Sequence, residues 1–118
     1  MCCLGVKKVI GDKNGMNKKV FREVAERSEG ICENPECKRW GGESLQKHHA
    51  YFGKGRRVLM ESTETVFDLC WYCHEGDNGV HHNRDLDLYF KRLATQNLLD
   101  AGWTKEEIMA KAGRWYLD

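Results

Sequence analysis

No apolar run in this 118-residue chain is long enough to span a bilayer, and its start, Met1-Cys2-Cys3-Leu4-Gly5, lacks the hydrophobic stretch of an export signal. A soluble protein of the cytoplasm, with no membrane partner, is the expectation. Net charge is almost absent as well: 19 Lys and Arg against 18 Asp and Glu leave +1. Such a chain does not coat nucleic acid through bulk electrostatics. Internal repeats and low-complexity segments are missing too, so the length points to one compact domain with a modest core that a structural metal would help.

Cysteine, by contrast, is plentiful. Six cysteines in a chain without an export signal point to metal before disulfide. Cys32 with Cys37 and Cys70 with Cys73 form a C-x4-C and a C-x2-C pair, the spacing at which tight turns deliver four thiolates to one tetrahedral zinc. Asn34-Pro35 lies inside the first pair and favours the reversal it needs. A redox dithiol at Cys70-Trp71-Tyr72-Cys73 is the rival reading, weakened by the second pair and by the lack of a thioredoxin-like βαβ pattern. Cys2 and Cys3 read as incidental thiols.

Between the pairs stands His48-His49, and His74 follows the second pair directly. The zinc positions being filled by sulfur, the histidines are free to hold a second, reactive metal. Lys47, Lys54, Arg56 and Arg57 make a local positive strip beside them, with no acidic residue among them, and suit phosphate contact.

Periodicity gives a coarse architecture. Residues 1–16 read as a flexible lead and 17–118 as the domain. Val20, Phe21, Val24 and Ala25 recur at helical spacing from Asn17 until Gly30. Extended segments are expected at 44–52 and 66–69, with the Gly-rich, basic 53–57 in the connection. A long helix over about 83–100 should bury Leu86, Tyr89, Phe90, Leu93 and Leu98. Thr104 with Glu107 has capping-box spacing, so a last helix should run to about Ala112. Trp40, Trp71 and Tyr72 are read as a shield for the zinc site, and Trp103 and Trp115 as core.

Together these residues carry a resemblance. A cysteine pair, a basic-flanked His-His, and an extended segment into Leu69-Cys70-Trp71-Tyr72-Cys73-His74 resemble the HNH endonucleases, the zinc-stabilised branch of the ββα-metal nucleases. The likeness covers roughly residues 30 to 85, and Gly79-Val80-His81-His82-Asn83 is similar to small bacteriophage-encoded HNH proteins. The implied fold is α+β: a small ββα-metal core with a four-cysteine zinc site, flanked by an N-terminal helix and C-terminal helices. The implied activity is metal-dependent DNA cleavage. DNA would be the partner, beside phage terminase or recombination proteins in an infected bacterial cytoplasm.

By the same resemblance His48 and His74 bind one catalytic divalent cation (Mg2+, Mn2+, Ni2+ or Zn2+) and His49 is the general base. The family's asparagine, which orients strand and base, falls on Thr65, with Glu64 a partial substitute. A third ligand would fall on Asn78, inside a Gly-rich insertion, and His81 is the choice to reach back after that loop. Asn83 is expected to cap the following helix, and His82 to stand near that cap. Adjacent strand residues face opposite ways, so His48 and His49 serve one site only if the strand is irregular or the phosphate lies between them. The rival from another class is a non-catalytic, zinc-dependent DNA-binding or assembly module.

Overall fold

In the computed structural model, residues 17–53 and 55–117 are described, except for the side chains of 57 and 58. The expected lead, with Cys2 and Cys3, lies outside them, as does Lys54. The first helix, α1 (Lys18–Ser28), starts where the Asn17 side chain accepts the amides of Lys19 and Val20. It buries Val20 and Val24 and ends in a left-handed residue that is Glu29 rather than the glycine after it. Two short strands follow, β1 (Gln46–His49) and β2 (Val66–Leu69), joined across a one-turn helix, α2 (Arg56–Leu59). The connection expected to be loop therefore contains helix. β2 runs into another single turn, α3 (Trp71–His74), and the chain closes with α4 (Arg84–Asp100) and α5 (Lys105–Ala112).

Among the described residues the sheet has two antiparallel strands, pairing Gln46 with Leu69, Lys47 with Asp68, His48 with Phe67 and His49 with Val66. Opposite residues share a face, so the register sorts the site. Gln46, His48, Phe67 and Leu69 face α4, where Phe67 and Phe90 pack with ring centroids 5.0 Å apart. Lys47, His49, Val66 and Asp68 face α1, and Val66 joins Val20 and Val24 in a second small cluster. Covered on both faces, all four residues of β2 are buried. β1 is shorter than expected: a 3-10 turn over Gly42–Ser44 precedes it, and only the bond from the Ala50 amide to the Thr65 carbonyl extends the pairing.

The last two helices match their sequence signals. Asn83 caps α4 by accepting the Leu86 amide, and Thr104 and Glu107 form a reciprocal capping box on α5. Phe90 and Leu98 are buried, with Leu86 and Leu93 packed against the core, whereas Tyr89 turns outward. Its place in the core is taken by Ala94 and Thr95; the Thr95 hydroxyl meets the buried Tyr51 hydroxyl, whose pKa burial pushes up to about 12. Trp103 is core, and Trp115 packs against it half-buried. No helix among the described residues is long and apolar enough to cross a membrane.

Candidate metal centres and catalytic histidine

The first cysteine pair sits on a tight reversal. The Asn34 carbonyl accepts the amides of Cys37 and Lys38, its side chain accepts that of Glu36, and Lys38 is left-handed. An Ile31–Trp40 bridge closes this knuckle at its base. The second pair is local too: Cys70 ends β2, and its carbonyl accepts the amides of Cys73 and His74 as α3 begins. All four thiols are free, and their sulfurs lie within 4.8 Å of one another.

The Cys37 and Cys70 sulfurs are 3.8 Å apart. Four thiolates at ~2.3 Å from a tetrahedral zinc stand about 3.8 Å apart, so this cluster fits one metal ion and not a disulfide. Burial pushes the Cys32 and Cys73 thiols up, which a cation at the centre would offset. Amides steady the sulfurs as well, Asn34 Nδ2 donating to Cys73 at 3.3 Å and the Arg39 backbone to Cys37 at 3.4 Å.

Trp40, Trp71 and Tyr72 do not shield this cluster. They are 74%, 52% and 62% exposed. Trp40 lies across the Gly42 backbone, where an added Cβ would meet its ring at 2.9 Å. Trp71 and Tyr72 touch edge to face, and the Arg39 guanidinium rests 4.5 Å above the Tyr72 ring. Cys32, Leu45, Leu69 and Val80 belong to the buried core around the cysteines, so small side chains do the covering that the large rings were expected to do.

A second cluster joins His48, His74 and His81, with one ring nitrogen of each within 4.8 Å of the others. His48 comes from β1 and is 1% exposed, and its Nε2 has no hydrogen-bond partner. His74 ends α3; its Nδ1 donates to Gln46 Oε1 at 2.7 Å, which leaves Nε2 bare and turned to His81 Nε2 at 3.1 Å. Nitrogens at ~2.0–2.1 Å from a tetrahedral metal stand about 3.3 Å apart, close to that separation. An orphaned buried nitrogen and a bare one aimed at the same point fit a metal ion.

Burial, with His74 and His81 beside it, lowers the His48 pKa to about 3, and burial lowers that of His74, so both imidazoles are neutral near pH 7 as ligands must be. His81 is exposed and leaves one side of the cluster open. It arrives there because the loop folds back on α3: the Val80 amide donates to the Cys73 carbonyl at 2.7 Å, and Gly79 lies so close that a Cβ would meet the His74 carbonyl at 2.8 Å. His82 and Asn78 stay outside the cluster.

His49 faces the other side of the sheet, against Phe21 of α1. Its Nε2 is 2.6 Å from an oxygen of Glu61, a buried carboxylate. The two histidines nevertheless sense one another, since charge on His49 acts on both His48 and His74. Thr65 takes the orienting position: its hydroxyl donates to the Met60 carbonyl and accepts the Ser62 amide, fixing the backbone on either side of Glu61. A hydroxyl thus supplies both donor and acceptor, with Glu64 contributing its backbone carbonyl to Asn97.

The basic strip is not an array of free cations. Lys47 pairs with the buried Asp68 at 2.6 Å on the α1 face, away from His48. Arg56 is half-buried under the end of α5, where a Cβ on Gly113 would collide with its guanidinium. Sequence reading missed three neighbours of the histidines: Gln46, Glu61 and Lys91. Lys91 of α4 is held by Asp87 at 2.5 Å and lies 4.0 Å over the ring of Phe52, which packs edge-on against His48. All three contacts span the fold or lie across a strand, so local spacing gives no sign of them.

Replacing Gln46 by Leu should weaken metal binding by roughly ~10–100-fold without unfolding the protein, because the partner that orients His74 is lost while the ligand remains. Calorimetric titration with Mn2+ reads this directly. Unchanged affinity would show that His74 needs no orienting group.

Compared with known proteins, the chain matches no family model, no curated protein and no solved structure.

Proposed function

We propose that this protein is a metal-dependent DNA endonuclease of the HNH type, with zinc in the four-cysteine cluster and one catalytic divalent cation on His48, His74 and His81. The observation that carries the reading is the pairing of three convergent imidazole nitrogens, open on one side, with a fourth histidine held by a buried carboxylate at the end of the same strand. A site built only to bind metal has no use for the fourth.

The residues divide the work. The scissile phosphate would lie at the end of β1, between the faces of His48 and His49, which answers the opposed orientation of neighbouring strand residues. His49 takes the proton of a water as its oxygen attacks phosphorus, and the bond from phosphorus to the 3′ oxygen breaks. A divalent cation would supply polarisation of the phosphate and stabilisation of the leaving oxygen. Gln46 keeps the His74 ring turned inward, and Lys91 holds positive charge beside His48.

A zinc-dependent binding or assembly module is the alternative, favoured by the exposed Trp71, Tyr72 and Arg39 on the knuckles. Plasmid nicking separates the two. The nuclease reading expects conversion of supercoiled to open-circular DNA that depends on added Mg2+, Mn2+ or Ni2+. Folded, zinc-loaded protein that binds DNA yet leaves it intact with all three ions would favour the module.

A further inference from the structure

Glu61 carries no motif, yet its surroundings are those of a group that sets the position of another. Its side chain is 0% exposed, and both oxygens are engaged. Oε2 lies 2.6 Å from His49 Nε2, and Oε1 accepts the backbone amide of Asn17 at 3.0 Å. A carboxylate only accepts, so the His49 nitrogen facing it bears the proton. Asn17 is the cap of α1, and Phe21 of that helix packs against the His49 ring at 6.0 Å. On the other side, the Thr65 hydroxyl binds the Met60 carbonyl and the Ser62 amide, so the backbone flanking Glu61 is fixed on both sides.

We propose that Glu61 is a positioning residue that holds His49 in the tautomer protonated at Nε2, which makes Nδ1 the atom that accepts the proton of the attacking water. The inference rests on the nuclease reading for its consequence, but not for its geometry. In the step, the water oxygen forms the new bond to phosphorus and its proton passes to Nδ1. The ring becomes an imidazolium whose Nε2 proton stays on Glu61, and the electron pair of the broken bond leaves on the 3′ oxygen. Thr65 acts one contact further out, through the backbone that presents Glu61.

Two measurements on the full-length, zinc-loaded protein test it. Long-range proton–nitrogen correlation of the imidazoles should show His49 protonated at Nε2 in the wild type. Glu61→Ala should mix the tautomers, and Glu61→Gln, whose amide oxygen still accepts, should keep most of the wild-type signature. In the nicking assay Glu61→Ala should lower kcat by roughly ~10–100-fold with KM and Mn2+ affinity within about twofold, with partial recovery in Glu61→Gln. If Glu61→Ala does not fold, Glu61→Gln and Thr65→Val carry the comparison, the latter expected to broaden the His49 signals.

A wild-type His49 protonated at Nδ1, or a tautomer unchanged in every Glu61 and Thr65 variant, would overturn the proposal. A fixed Nε2 tautomer in a protein that cuts no DNA would instead sink the nuclease reading and leave the positioning role standing.

Discussion

Cys70→Ser is expected to leave the chain unfolded. Cys70 closes β2, opens α3 and brings its sulfur 3.8 Å from Cys37, so one substitution breaks the link between the two knuckles. Structural zinc sites supply about 10–16 kcal/mol of apparent binding energy in small peptides, as much as or more than the ~5–15 kcal/mol of net stability typical of a domain. A core of this size cannot make up that difference. Circular dichroism, with zinc content measured on the same sample, checks it, as does chelation of the wild type. A serine variant that melts cooperatively at the wild-type temperature without metal would show that the cysteines are not structural.

Almost as large an effect is expected for the histidine pair, and it should divide by face of the sheet. His49→Ala should slow cleavage by roughly ~10²–10⁴, the contribution of a positioned general base, while Mn2+ or Ni2+ still binds, since His48, His74 and His81 are untouched. His74→Ala should lose the ion and the activity together. Calorimetry beside the nicking assay separates the two variants. Loss of metal binding in His49→Ala, or full activity in either protein, would mean that base and ligands have been assigned wrongly.

What was legible in the sequence is what local chemistry determines. The cysteine pairs close through turns of a few residues, and the caps at Asn83 and Thr104 act on amides three positions on, so spacing alone reveals them. β2 could be read because it is apolar on both sides and leads into a cysteine. Contacts that join distant segments left no trace: Glu61 reaches His49 across 12 positions, and Asn17 across 44. The same blindness affected the cations and rings. Nothing near Lys47 or Arg56 announces Asp68 or the end of α5 as their partners. The knuckle aromatics were assigned to shielding because large rings usually fill small cores, but here the knuckles are covered by smaller side chains and the rings are left in solvent.

Cys73 and His74 are neighbours on the single turn of α3, so the two coordination spheres are separated by one peptide bond. That adjacency imposes a hierarchy of loading. The imidazoles can be emptied and refilled while the thiolates keep α3 in place, but they cannot outlast the thiolates, because the turn that aims His74 exists only while Cys70 and Cys73 are held. Ion exchange at the reactive centre is thus compatible with an intact protein, whereas exchange at the cysteines resets both. A cell low in zinc would lose this activity at the stage of folding, however much of the second ion it contained.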